Sequence, residues 1–189
     1  LSVSSAASDV YKRQIQYNPY PKENEINYAE THIKNVVSNF LPSVLNYLNV
    51  NFDNTNQIVA GASMGGLMSI KTSILFPQFR NIISLSPAFW FGYPRILYDV
   101  KNLSDESSTY LYTGKKEGHI FGDHVKNIFP NNWDLDFSNN DDFYYSGVKK
   151  IKDSLESHNK TVIFSFQENG HHNETSWATA ILEILGKLI

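Results

Sequence analysis

From Ile26 onward, the hydrophobic positions of the chain alternate between helical and extended spacing. Between residues 26 and 48, apolar side chains recur at steps of three and four, which predicts one amphipathic helix, kinked or restarted at Pro42. The same spacing predicts three further helices: one that follows residue 66 and stops before Pro77, one over 149–157, and one from Trp177 to the end of the chain. Asn173 is a suitable N-cap for the last helix, with Glu174 in its first turn.

Short runs typical of buried strands lie between these helices, at 57–60, 81–85, 109–113 and 161–166. Strands that alternate with helices usually pair in parallel, because each helical crossover returns the chain to the same end of the sheet. The pattern therefore predicts an α/β fold, with a mostly parallel sheet covered by helices on both faces.

Composition removes several classes of chemistry. The chain has 189 residues and no cysteine, which excludes disulfides, thiol nucleophiles and iron–sulfur clusters. A net charge of −3 gives no case for nucleic-acid binding, and no run of apolar residues is long enough to span a membrane. We expect no cofactor. Without cysteine or a recognisable signal peptide, the sequence favours the cytoplasm.

Two segments do not follow the alternating pattern. Residues 1–14 are small and polar and resemble translated adapter sequence, so we expect a non-native or disordered leader; an ordinary flexible terminus is the alternative. Residues 118–147 carry seven aromatic side chains among many Asn and Asp residues: Phe121, Phe129, Trp133, Phe137, Phe143, Tyr144 and Tyr145. This stretch is expected either to form a lid or pocket wall, or to anchor the loop to the body of the domain.

A serine lies between a predicted strand and a predicted helix, in the run Gly61-Ala-Ser-Met-Gly65. A sharp turn at such a junction exposes a serine hydroxyl and requires small residues two positions before and after it, here Gly61 and Gly65. We therefore interpret Ser63 as a nucleophile, with the Met64 N–H as a donor to the developing oxyanion. The alternative is a purely structural glycine turn.

Histidine and carboxylate candidates follow later strands and should reach the same sheet edge. His171 and His172 follow the 161–166 strand, and spacing alone allows either to act as the base. No third ligand lies at a recognisable metal-binding distance along the chain, so we expect no metal. Glu117, at the end of the 109–113 strand, is the preferred acid. The competing carboxylates are Asp123, Asp141 and Asp142, with Asp99 and Asp105 less favourable because they precede the strand.

From about Ile26 to its end, the chain resembles a family of α/β-hydrolase esterases that includes siderophore esterases, feruloyl esterases, S-formylglutathione hydrolase and the mycolyltransferases. Four segments carry the resemblance: the serine turn Gly61–Leu67, the run Ser86-Pro-Ala-Phe-Trp90, the strand end Tyr112–Glu117, and the motif Gly170-His-His-Asn-Glu-Thr-Ser-Trp177. The resemblance implies an acyl-enzyme mechanism on a small-molecule ester, with a Ser-His-acid triad. An acyltransferase and a non-catalytic binding module are the alternatives.

The resemblance also assigns residues that spacing leaves open. It implies that His172 is the base and that His171 is a variable position, and it places Trp90, His171 and Trp177 near the substrate pocket. Many relatives carry Asp where this chain has Glu117. The family has further strands before the helix near Ile26, which supply a second oxyanion donor. We therefore expect 15–189 to be the C-terminal part of a single esterase domain, weakly active or unstable as a fragment.

Overall fold

The computed structural model describes residues 17–50 and 57–188. Helices α1 (Tyr28–Asn35) and α2 (Leu41–Tyr47) come first, joined by a π-helical turn (Val36–Phe40). The chain then runs β1 (Ile58–Ala62), α3 (Met64–Leu75), β2 (Asn81–Leu85), α4 (Arg95–Asp99), β3 (Ser108–Lys116), α5 (Val125–Ile128), α6 (Asn140–Ser157), β4 (Thr161–His171) and α7 (Glu174–Leu188). Short 3₁₀ turns cover Phe89–Phe91, Val100–Asn102 and Gly118–Phe121. The expected leader, residues 1–14, lies outside the described residues.

The four strands form one parallel sheet in the order β1-β2-β3-β4. Register begins with Ile58 opposite Asn81 and continues with Asn81 opposite Ser108 and Ser108 opposite Thr161. Because every strand points the same way, the carboxyl ends of all four lie at one edge of the sheet. Loops that follow neighbouring strands are therefore close together, although they are far apart in sequence.

Successive residues of β2 and β3 face opposite sides of the sheet, as the period of two in a strand requires. Ile82 and Leu111 belong to a core cluster with residues of α3 and α6. Their neighbours Ile83 and Tyr112 belong to a second cluster with Ala180 and Ile184 of α7. Helices therefore cover both faces, and the predicted α/β fold with a parallel sheet is confirmed.

The first predicted helix is confirmed, with a break. The chain leaves regular α-helix at Val36 and restarts at Leu41, so that Pro42 lies in the first turn of α2, where a missing N–H is tolerated. Ala29 and Ile33 are buried, whereas Phe40 is 65 % exposed. The apolar stripe is thus buried only in its first turns.

β4 and α6 differ most from their predicted bounds. β4 continues five residues past the predicted end, 166, so that His171 lies at the end of a strand rather than in a loop. α6 begins at Asn140, well before the predicted 149, because Asn139 caps it by accepting a hydrogen bond from Asp142 N. Asparagine has a low helix propensity, so Asn139 and Asn140 predict a loop, although Asn139 is in fact the N-cap of the helix.

The aromatic residues of 118–147 pack inward. Phe143 and Tyr144 are fully buried, and Phe121, Phe129 and Trp133 pack against the same cluster. Phe129 stacks on Phe143 with ring centroids 5.0 Å apart. This packing favours the anchoring interpretation of the stretch. Among the helices of the described residues, none has the length and apolar content needed to cross a membrane.

Candidate functional site

Ser63 lies between β1 and α3 in a backbone conformation that L-residues rarely adopt, with φ 55° and ψ −121°. Its N–H donates to Leu85 O at 2.9 Å, and its carbonyl accepts from Ala88 N at 3.0 Å. Both bonds tie the serine to the end of β2. A strained serine at the turn between a strand and a helix is the geometry of a nucleophile elbow.

The close approach at this turn requires Gly61, as expected, but not a glycine at position 65. A Cβ on Gly61 would lie 2.3 Å from Gly65 O, so Gly61 has no space for a side chain. A Cβ on Gly65 would meet nothing within 4 Å, whereas one on Gly66 would lie 2.9 Å from Leu85 O. A side chain would therefore fit at position 65. At Gly66 it would not, because helix α3 lies against the end of β2 there.

Met64 is the first residue of α3. The amide of a first helical residue has no acceptor within the helix, and the helix dipole places partial positive charge there. Its N–H is thus available to a negative oxygen beside Ser63.

Glu117 and His172 are hydrogen-bonded to each other. His172 Nδ1 lies 3.0 Å from Glu117 Oε2, and the glutamate is fully buried at 0 % exposure. Glu117 Oε1 also accepts from the Gly114 amide and from Ser86 Oγ, the latter at 2.7 Å. With Nδ1–H donated to the carboxylate, His172 Nε2 is left as an acceptor.

The competing carboxylates have other partners. Asp141 accepts from Gly118 N at 2.6 Å, and Asp142 pairs with Lys115 at 2.6 Å. Asp123 caps its own turn by accepting from His124 N. The two earlier candidates pair with lysines, Asp99 with Lys71 and Asp105 with Lys160.

Ser86 belongs to the site, although the sequence did not identify it as a functional candidate. It is fully buried, has a left-handed φ of 43°, and contacts Glu117, Trp177 and Tyr144 through hydrogen bonds. In the sequence, Ser86 belongs to one of the four segments that carry the family resemblance, and nothing else pointed to a function for it. No propensity rule indicates that a serine at a strand end will be left-handed.

Two tyrosines near the pair have raised pKa values. Burial, with a smaller effect from the Glu117 charge, raises the pKa of Tyr112 to about 12. The same two causes, in the same order, hold the pKa of Tyr144 well above its usual range. Both phenols therefore remain neutral near pH 7.

The three residues expected near the substrate pocket occupy different positions. The Trp177 ring meets His172 edge-on with centroids 4.9 Å apart, and its indole N–H donates to Ser86 Oγ at 3.0 Å. Trp90 packs against Phe121 and Tyr144 in the aromatic cluster. His171 is exposed, and its ring lies 6.0 Å from that of His119.

An open cleft of about 830 Å³ lies beside His172. Its polar lining includes Lys116, His119, Asp123, His124, Asp141 and His171. Asn173, the residue after His172, also lines it, whereas Ser63, Glu117 and His172 themselves are not among the lining residues. Its lining residues carry both signs of charge, and every one of them is polar or glycine.

No protein-family model matches the sequence, and no curated protein matches it. Solved structures share its fold: an enterobactin esterase from Shigella flexneri (18 % identity, TM-score 0.55), a ferulic acid esterase (14 %, 0.59) and an IroE-like serine hydrolase from Shewanella oneidensis (15 %, 0.62). They cover 78, 83 and 89 % of this chain, respectively. The chain in turn spans 34, 58 and 54 % of theirs. The chain therefore has the α/β-hydrolase fold over the part that it shares with these two esterases and this serine hydrolase.

Proposed function

We propose that the chain carries the catalytic residues of a serine hydrolase that cleaves carboxylic esters. Ser63 is the nucleophile, His172 the general base and Glu117 the residue that orients the histidine. The observation that carries the proposal is the hydrogen bond between the buried Glu117 and His172, at the same sheet edge as a strained Ser63. The fold shared with esterases and with a serine hydrolase supports it.

In the first step, Ser63 Oγ attacks the ester carbonyl while His172 Nε2 takes the hydroxyl proton. The carbonyl oxygen becomes an oxyanion that accepts from the Met64 N–H. Glu117 stabilises the imidazolium that forms. Collapse of the tetrahedral intermediate breaks the ester C–O bond, and His172 returns the proton to the leaving alcohol.

In the second step, water attacks the acyl-enzyme while His172 removes one of its protons. The carboxylic acid leaves, and the proton returns to Ser63 Oγ. The two steps balance as ester plus water giving acid plus alcohol, so they require no cofactor.

We assign part of the substrate to the cleft beside His172, where His171 and His119 supply imidazole groups. Because every lining residue is polar or glycine, the cleft favours esters with substituents that can form hydrogen bonds over long acyl chains. We expect such a substrate to be a small molecule, and the net charge of −3 gives no electrostatic argument for nucleic acid.

Covalent labelling with a fluorophosphonate tests the proposal directly. The whole chain should be labelled at Ser63 and should release nitrophenolate from 4-nitrophenyl acetate. Ser63→Ala should abolish both, whereas Ser157→Ala, which changes an exposed serine at the end of α6, should alter neither. Labelling that persists in Ser63→Ala, or a folded chain that neither labels nor hydrolyses, would refute the proposal.

A further inference from the structure

Ser86 lies at the centre of the hydrogen bonds that surround the acid. Its Oγ donates to Glu117 Oε1 at 2.7 Å and accepts from Trp177 Nε1 at 3.0 Å. Its carbonyl accepts from the Tyr144 hydroxyl at 2.6 Å, and its N–H donates to Tyr112 O at 2.8 Å. All its hydrogen-bonding groups are thus engaged, and none of these four bonds is to His172.

The direction of the Ser86 hydroxyl follows from its neighbours. An indole N–H can only donate, so Ser86 Oγ must accept from Trp177. The single hydroxyl proton is then free to point at Glu117 Oε1, where the acceptor is a carboxylate oxygen. The Gly114 amide donates to the same oxygen. Two donors on one carboxylate oxygen fix the plane of the group, and thereby the position of Oε2, which faces His172.

The backbone conformation of Ser86 is one that serine adopts only with strain. Its φ of 43° lies in the left-handed region, which glycine adopts without strain and serine does not. Strained non-glycine residues persist only where the surrounding structure holds them, and they cluster at functional sites. We propose that Ser86, held by Trp177, is a positioning residue that keeps the Glu117 carboxylate turned toward His172. The inference rests on the proposed function and deepens it.

Two substitutions separate the hydroxyl from the backbone. Ser86→Ala removes the hydroxyl and keeps the strain, whereas Ser86→Gly removes the hydroxyl and relieves the strain. If the hydroxyl positions Glu117, both variants should lower kcat about tenfold to hundredfold, with KM changed less than about twofold, since one hydrogen bond to a charged group is lost. Ser86→Gly should remain folded, so a loss of activity there does not reflect unfolding.

Ser84, two residues earlier and within β2, provides a matched control. It is also fully buried, and its Oγ donates to Gly66 O at 2.9 Å rather than to the acid. Ser84→Ala should lower the unfolding midpoint but leave kcat within about threefold. Equal kcat losses in Ser84→Ala and Ser86→Gly would indicate a general packing effect and overturn the inference.

A double-mutant cycle tests the part played by Trp177. Trp177→Phe removes the indole N–H and keeps an aromatic ring beside His172. If the N–H acts through Ser86 Oγ, Trp177→Phe should lower kcat in the wild-type background and have little further effect in Ser86→Ala. Fully additive losses would contradict this coupling.

An NMR measurement decides the inference independently of turnover. The proton on His172 Nδ1, held by Glu117, should give a low-field signal that exchanges slowly with water; His172→Gln identifies it. The signal should weaken or vanish in both Ser86 variants and persist in Ser84→Ala. Its persistence in Ser86→Gly would overturn the positioning role, even if the chain proved inactive and the proposed function failed.

Discussion

Replacing Glu117 with glutamine should reverse the tautomer of His172. In the wild-type chain, the Gly114 amide donates to Glu117 Oε1, and an N–H cannot donate to an amide NH₂ group. The glutamine must therefore place its oxygen at the Oε1 position and its NH₂ at the Oε2 position, which lies 3.0 Å from His172 Nδ1. The NH₂ group then donates to Nδ1, and the imidazole proton moves to Nε2.

A histidine protonated on Nε2 cannot accept the proton of Ser63. An aspartate-to-asparagine change that reverses the tautomer in a Ser-His-Asp triad lowers kcat on the order of 10⁴. At about 1.4 kcal/mol for each tenfold change, this is a loss of about 5 kcal/mol of transition-state stabilisation. We expect Glu117→Gln to show a loss of this size in kcat, with a much smaller change in KM.

Initial rates of 4-nitrophenyl acetate hydrolysis measure the effect, and circular dichroism checks that the variant is folded. Asp142→Asn is the matched control: it makes the same carboxylate-to-amide change at a rival candidate that pairs with Lys115. It should leave kcat within about twofold. If Glu117→Gln kept more than about a tenth of wild-type kcat, or if Asp142→Asn lost more, the assignment of the acid would be wrong.

Three other predictions follow from the same contacts. Gly61→Ala should lower the free energy of unfolding by about 1–3 kcal/mol in urea titrations, because its Cβ would lie 2.3 Å from Gly65 O. Gly65→Ala, whose Cβ would meet nothing within 4 Å, should be neutral or stabilising. Equal effects of the two substitutions would contradict the packing argument. The pKa of Asp142 is lowered from the ordinary aspartate value of 3.8, chiefly by its hydrogen bond to Lys115. The pair should therefore contribute stability above that ordinary value, and this stability should be lost as the pH falls through the lowered pKa. The stability difference between wild type and Asp142→Asn, about 0–1 kcal/mol at pH 7, should therefore shrink on acidification; a difference that grows would refute this. His171→Ala should raise KM for esters with polar substituents and leave kcat nearly unchanged. A fall in kcat with KM unchanged would contradict a role of His171 in substrate binding.

The sequence was most informative where local chemistry is strong. The strand predicted at 81–85 matches β2, and Asn173 caps α7 as expected by accepting from Ser176 N at 3.0 Å. Parallel topology also accounts for Glu117 and His172 meeting, since each follows one of two neighbouring strands. These features follow from hydrophobic periodicity and capping, which act over a few residues.

The supporting contacts could not be predicted, because they join residues far apart in sequence. The Trp177 indole reaches Ser86 across 91 positions, and no periodicity connects the two. The choice between Gly65 and Gly66 depends on how closely α3 passes the end of β2. The length of β4 depends on an irregular pairing with β3 between Gly114 and Lys116, where a Cβ on Gly114 would lie 2.3 Å from Gly170 O.

The unequal strand lengths imply that the sheet does not open uniformly. β3 and β4 pair from Ser108 opposite Thr161 to Lys116 opposite His171, whereas β1 has five residues, with Ile58 46 % exposed. Short, exposed strands exchange their amide hydrogens by low-energy local fluctuations, and long, covered strands exchange them only on wider unfolding. Warming should therefore release the segment bearing Ser63 first and leave Glu117 and His172 joined, so that heat inactivation precedes the loss of most secondary structure.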